Sequence, residues 1–351
     1  MQLQIPVEYL VQQLNQIPGI TVAIQYETSE MTSELYLGMS FAQYARYWLT
    51  HYKLGTVKGN TYQGTYEEPL YLHIIPYFRD LQIQAVTPAD VRAFFDVKRS
   101  EGYALETMRK MRACLKAIFS TAQENKLCYN NPVTSSLVLR SDKPPKEKNC
   151  WTREQVDIAN NFADAHPKGL GIQILLETGI SRSELLGLQW PHHFPNSRVL
   201  AITDGLVYQK DPFFGVYGLV CEGLKNGYRL RALPISARLN ARLALEPQTI
   251  FRHGQPIKTQ HIIHAPRGGP FSPSNWYDRE YKPFMRDLTE EHPEIPWLTP
   301  HELRHTVATV TANENVNLHF VAQLLGHCNL DMLGKRYLHR DIEPLRRALG
   351  R

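Results

Sequence analysis

The chain has 351 residues, 43% hydrophobic and 21% charged, with a formal net charge of +5 and a pI near 8.8. That length exceeds one ordinary core and suits two domains, and the composition is that of a soluble globular protein. No apolar run reaches the roughly 18 residues that a membrane-spanning helix needs, and the mild basic bias is compatible with nucleic acid without requiring it. The opening stretch, MQLQIPVEYLVQQLNQIPG, lacks the basic, then apolar, then small-residue order of a secretory signal. Five scattered cysteines (Cys114, Cys128, Cys150, Cys221, Cys328) form no C-x-x-C pair, so reduced thiols in a cytoplasmic protein are expected.

Residues 1–37 read as an arm or a small domain, with Ile20 to Gln25 fitting a strand. Residues 38–138 read as a helical domain. Ser40 is placed to cap FAQYARYWLTHY, in which Phe41, Tyr44, Ala45, Trp48 and Leu49 recur at helical spacing. Thr87-Pro88-Ala89-Asp90 is a second start signal, with proline in the first turn. The stretch LETMRKMRACLKAIFSTAQEN buries Met108, Met111, Cys114, Leu115 and Ile118 and carries Arg109, Lys110, Arg112 and Lys116 on its other faces. A linker over 139–149 follows; its core, SDKPPKEKN, has two prolines, three lysines and no large apolar residue.

Residues 150–351 form the second domain. WTREQVDIANNFADAH and GLGIQILLETG are helical. Strand signals dominate from Arg198 to Ile235, where RVLAIT, GVYGLVCEGL and YRLRALPI gather β-formers around glycine turns. Helical patterning returns from Ser236 and again from Thr299. The fold class expected is mainly α with a small antiparallel β-sheet: an all-α domain, then an α+β domain.

The richest stretch runs from Thr299 to His339. His301-Glu302-Leu303-Arg304-His305 fits H-E-x-x-H, which on a helix sets two imidazoles on one face for zinc with glutamate as base. Glu314, His319 and His327 are conceivable third ligands, but none sits in a recognised downstream pattern.

Another pattern uses more of these residues. His301 and Arg304 open a helix, Leu325-Gly326-His327 follows about two dozen residues on, and Tyr337 stands ten residues after His327. In order and spacing this resembles the C-terminal signature of the tyrosine recombinase (phage-type integrase) family. Two further segments resemble it too. Lys225 begins KNGYRLRALP, with Arg231 six and Pro234 nine residues later, like the family's lysine-bearing β-hairpin. Thr178 to Leu188, TGISRSELLGL, resembles the box T-G-x-R-x-x-E-L-L-G-L, but Ser181 stands where that box has arginine and Arg182 comes one residue later. Upstream, SFAQYARYWL, the Ile-Pro break, Thr-Pro-Ala-Asp and the closing Asn-Pro resemble the family's core-binding domain. The likeness covers roughly residues 38–340.

The resemblance implies an all-α SAM-like core-binding domain joined to an α+β catalytic domain. It implies a site-specific DNA recombinase that breaks and rejoins DNA through a 3′-phosphotyrosyl link, integrating or excising a mobile element. Catalytic roles are expected for Arg182, Lys225, His301, Arg304, His327 and Tyr337. A tyrosine bond conserves the phosphodiester energy, so religation is simple reversal, and no G-x-x-x-x-G-K-[ST] loop is present. Guanidinium groups are suited to clamp the non-bridging oxygens, histidines to move protons there, and Lys225 to protonate the leaving 5′-oxygen. No cofactor and no metal is implied. DNA contacts are expected from Lys58, Tyr62, Arg109 and Arg112, largely to phosphates. Expected partners are double-stranded recombination sites, three more copies in a tetramer through exchange of the tail (Ile342, Leu345, Leu349), and an accessory excision factor, in the bacterial cytoplasm with no membrane. Ser181 leaves an alternative open: a DNA-binding relative that has lost cleavage. A resolvase-like role in replicon maintenance is another.

Overall fold

A computed structural model describes residues 39–140, 142, 149–211, 215–223, 229–314 and 318–326. The expected strand at Ile20 to Gln25, most of the linker, Lys225, His327, Cys328, Tyr337 and the tail residues Ile342, Leu345 and Leu349 lie outside the described residues. The chain folds as two compact units. The first takes residues up to Lys146 together with Gln209–Gly218, and the second takes Glu147–Tyr208 and everything from Leu219 onward. Among the described residues no helix is long and apolar enough to cross a membrane.

In the first unit, helix α1 (Phe41–Trp48) starts where its capping signal stands. The Ser40 hydroxyl accepts from the Gln43 amide, and the Gln43 side chain accepts from the Ser40 amide. The helical spacing sends Phe41, Tyr44, Ala45 and Trp48 inward. Helix α2 (Pro88–Ser100) has the same reciprocal cap from Thr87 and Asp90, with proline in its first turn. Helix α3 (Leu105–Glu124) buries Met108, Met111, Cys114, Leu115 and Ile118 as its spacing predicts, and Phe119 and Ala122 as well. The Trp48 indole donates to the Thr121 hydroxyl at 3.0 Å, fastening α1 to α3. Phe41, Phe78 and Phe94 stack through the centre with ring centroids 5.0 and 5.4 Å apart. The segment Gln209–Gly218 is held within this unit by Lys210 on Glu67 at 3.2 Å and by the Gln63 amide donating to the Tyr217 hydroxyl at 2.8 Å.

In the second unit, α4 (Arg153–Ala165) precedes α5 (Leu170–Thr178), which is largely apolar. Ile172, Ile174, Leu175 and Leu176 are all buried, the pattern of a central helix. After α6 (Arg182–Gly187) come the strands β1 (His193–Phe194), β2 (Val199–Ile202), β3 (Asp204–Lys210), β4 (Tyr217–Gly223) and β5 (Arg231–Pro234). β1, β2 and β5 form one antiparallel sheet, with Ile202 opposite Arg231 and Leu200 opposite Leu233, while β3 pairs with β4. Helix α7 (Ala237–Leu245) is followed by a hairpin, β6 (Thr249–Arg252) and β7 (Gln255–Lys258), which the sequence reading leaves unassigned. Its signal is His253-Gly254, both at positive φ, the two-residue turn that a hairpin of this twist requires. Helices α8 (Lys282–Glu291), α9 (Pro300–Asn313) and α10 (Leu318–Leu325) complete the unit, with α9 packed along α5.

Gly179 ends α5 at a φ of +61°, and a Cβ there would stand 3.0 Å from Val307 Cγ1 and 3.3 Å from Leu325 Cδ2. The conformation and the contact both require glycine. Gly179→Ala is therefore expected to lower unfolding free energy by about 1–3 kcal/mol in urea titrations. An unchanged midpoint would show that the junction of α5, α9 and α10 gives way freely.

Candidate active site

The box between α5 and α6 reverses the chain and then reuses its own residues as a helix cap. Ser181 is the N-cap of α6; its hydroxyl accepts from the Glu184 amide at 3.4 Å and donates to Glu184 Oε2 at 2.9 Å. The Ser181 amide donates to the same oxygen at 2.7 Å. The Glu184 carboxylate is thereby folded back over the first turn of its own helix, where the helix dipole favours negative charge. It is 0% exposed.

Two arginines meet that carboxylate. Arg231, from β5, donates Nη1 to Oε1 at 3.0 Å and Nη2 to Oε2 at 3.3 Å, a two-pronged pair. Arg304, from α9, donates Nη1 to Oε2 at 3.3 Å and to the Gly179 carbonyl at 2.9 Å. Both arginines also grip the end of α10. Arg231 Nε donates to the Leu324 carbonyl at 2.9 Å, and Arg304 Nη2 donates to the Leu325 carbonyl. Cations at a helix C-terminus satisfy carbonyls that have no partner within the helix. Gly326 follows at a φ of +63°, and a Cβ there would meet Arg229 Cα and Arg231 Nη1, both at 3.1 Å. The glycine of the L-G-H motif is thus required by the arginine beside it.

Burial alone would push the Glu184 carboxyl up. The hydrogen bonds and charge of Arg231, the charge of Arg304 and the Ser181 amide outweigh it, and the group lies below the ordinary glutamate range. The motif residues His301 and Arg304 share the first turns of α9. That helix is capped by Thr299, whose hydroxyl and amide both reach Glu302 Oε2 at 2.8 Å. Glu302 is therefore turned back onto the helix start, away from the base position of the H-E-x-x-H reading. His301 lies at the surface, with its Nε2 2.9 Å from Nε2 of the buried His305. Arg182 is the first residue of α6 and half-buried. Burial lowers its pKa, the Tyr277 phenol opposes that shift, and no described residue hydrogen-bonds its guanidinium.

The structure thus brings together Arg304, the T-G box and the end of the helix that leads to His327. Lys225 falls between β4 and β5, and it, His327 and Tyr337 lie outside the described residues. In the first unit, Lys58 and Arg109 are exposed, Arg109 paired with Glu106 at 3.2 Å, and Arg112 is half-buried with Nη2 on the Thr134 carbonyl. Tyr62 corrects an expectation. It is 7% exposed, packed in the helical core, with burial and Glu67 raising its hydroxyl to about 12, so it is no surface contact. Glu184 and Arg231 were quoted in the sequence motifs without a role. Arg231 had a signal: in RALP, with side chains alternating, it shares the inward face with Leu233, and an inward arginine needs a buried anion.

Comparison with known proteins fits this arrangement. The chain belongs to the phage integrase family, whose profile matches residues 152–343. The N-terminal SAM-like domain found in phage integrases matches residues 40–97. It is 26% identical to the transposase of transposon Tn916 from Enterococcus faecalis over 74% of this chain, and it spans 65% of that relative's length. It is 26% identical to the tyrosine recombinase XerC of Bacillus licheniformis, over 81% of this chain and 84% of the relative. Among solved structures it has the fold of the Tn1549 transposon integrase in complex with circular intermediate DNA, with TM-score 0.73, 23% identity, and coverage of 89% of this chain and 99% of that one. A lambda integrase tetramer bound to a Holliday junction aligns at TM-score 0.56 and 16% identity, over 95% and 87% of the two chains.

A carboxyl held low in the folded state stabilises the fold at pH values above its unfolded pKa of about 4.3, and that contribution disappears as pH falls through the lower folded value. Glu184→Gln is expected to lose roughly 3–5 kcal/mol at neutral pH by leaving two buried arginines without their anion. The difference from wild type should shrink below about pH 4. A difference that stays constant across that range would mean that Glu184 is not ionised in the folded protein.

Proposed function

We propose that this chain is a site-specific DNA recombinase of integrase type, in which Tyr337 attacks a phosphodiester and carries it as a 3′-phosphotyrosyl link until a 5′-hydroxyl reverses the step. The observation that carries this reading is the buried junction of Arg304 with Gly179, Glu184 and the end of α10. Supporting the reading, that junction gathers a guanidinium, a group chemically suited to phosphate, with the T-G box and the last turn before His327. His301 on the first turn of α9 serves proton movement at the same oxygens, with His327; Lys225 protonates the leaving oxygen. The substrates are double-stranded recombination sites at the ends of a mobile element. Supporting that substrate is the likeness to transposon and phage enzymes. Lys58, Arg109 and Arg112 contact DNA phosphates from the first unit. Four copies act together by exchanging tails, an accessory factor biases excision, and the enzyme works on DNA in the bacterial cytoplasm.

Incubation with nicked suicide duplexes tests the chemistry, because escape of the short 5′-hydroxyl strand traps any covalent complex. Wild-type protein is expected to form an adduct that resists detergent. Tyr337→Phe, which removes only the nucleophilic oxygen, is expected to form none while binding DNA nearly as well. Adducts that persist in this variant would overturn the role of Tyr337.

One observation favours a second reading, a binding protein without cleavage. Ser181, at the position of the family's arginine, is fully engaged as a helix cap, so that position supplies no guanidinium. Arg182 is proposed to supply the second clamp instead, its half-buried guanidinium having no hydrogen-bond partner among the described residues. In that case Arg182→Ala loses about 100-fold or more in adduct formation, in keeping with the loss of one transition-state donor. Ser181→Ala, losing only a cap, should change the rate little. If Ser181→Arg raises the rate strongly while Arg182→Ala is neutral, the binding-protein reading is the better one.

A further inference from the structure

Arg231 belongs to no catalytic role described above, yet every nitrogen of its buried guanidinium is engaged. It makes two contacts to Glu184, one to the Leu324 carbonyl and one of 2.8 Å to the Arg229 carbonyl. We propose that Arg231 is a positioning residue for phosphate binding: by occupying the Glu184 carboxylate it prevents that carboxylate from neutralising Arg304. The proposal rests on the recombinase reading only in assigning a phosphate to Arg304.

The charges decide the matter. Glu184 faces two guanidinium groups, and the sum of the three is +1. Oε1 is taken by Arg231 at 3.0 Å. Oε2 is shared by the Ser181 amide at 2.7 Å, the Ser181 hydroxyl at 2.9 Å, and one nitrogen from each arginine at 3.3 Å. On Glu184, Arg304 therefore holds a long contact to a crowded oxygen. Its shorter contacts go to the neutral carbonyls of Gly179 and Leu325. Neutral acceptors orient a guanidinium without cancelling its charge, so the field of Arg304 remains available to a bound phosphate. Remove Arg231 and the same carboxylate has one cation left. Glu184 and Arg304 then close into an ion pair with no net charge, in a setting where little water screens them. Arg231 further holds the end of α10, so the guanidinium of Arg304 and the carbonyl of Leu325 keep one geometry.

A purely structural role for Arg231 makes the opposite prediction from a charge-balancing role when Glu184 is neutralised too. Arg231→Gln is compared with the double variant Arg231→Gln/Glu184→Gln, whose site carries +1 again while lacking still more of the buried network. Arg231→Lys, which keeps charge but not the forked contacts, serves if the glutamine variant does not fold. Two readouts are used: the rise in thermal midpoint caused by inorganic phosphate, and the rate of adduct formation per folded molecule on a nicked duplex selected by wild type from a random pool. Arg231→Gln is expected to lose most of the phosphate response and at least tenfold in rate. The double variant is expected to regain much of both despite being no more stable, and Arg231→Lys to retain the phosphate response. A double variant that is as weak as or weaker than the single one, or an Arg231→Lys protein without the response, overturns the proposal. Absence of a wild-type adduct would remove the recombinase reading, yet the phosphate response of the variants would still judge this one. A wild-type protein that answers neither probe overturns both.

Discussion

A carboxylate with no exposure to water, Glu184, holds two arginines that come from separate elements of the second unit, strand β5 and helix α9. Burying one charge without partners is prohibitively costly, so the ion must be surrounded before the unit can close. Its partners are the start of its own helix, strand β5 and helix α9, and through the arginines the end of α10. The position of β5 against the end of α10 follows from satisfying that one group. Glycine is required at two points around it. Gly179 turns the chain out of α5 against Val307, and Gly326 passes within contact of Arg231.

The same arrangement suits the proposed phosphate chemistry because it orients positive charge on rigid elements in advance of any ligand. Preorganised donors need no rearrangement when charge develops on the transferred group. Ser181 marks this chain as a departure from its family. Where the box ordinarily has arginine, a hydroxyl completes the cap over Glu184, so that position contributes to the buried anion's support.

Much of this was legible in the sequence, for physical reasons that differ by element. Helices α1, α2 and α3 announce themselves by capping residues and by 3.6-residue spacing of large apolar side chains, both local properties. The strands β2, β4 and β5 follow from clustered β-formers between glycines. Hairpin β6–β7 carries one clear signal, the two-residue turn His253-Gly254, within otherwise unremarkable polarity, and the sequence reading does not assign it. Tyr62 was read as a surface contact because nearness to Lys58 in sequence says nothing of which face packs inward. The role of Ser181 was also written in the chain. S-R-S-E is a capping box by spacing, as is T-P-H-E at Thr299. The pairing of Glu184 with Arg231 needs 47 residues of chain to be folded first, and no local pattern carries that.

Amide hydrogen exchange tests most directly whether one shared carboxylate holds these segments together. If it does, Glu184→Gln should speed exchange jointly in three peptides remote in sequence, covering 178–186, 229–234 and 318–326, while α3 in the first unit keeps its protection. Faster exchange confined to 178–186, with the other two peptides unchanged, would contradict the claim that Glu184 is the common anchor.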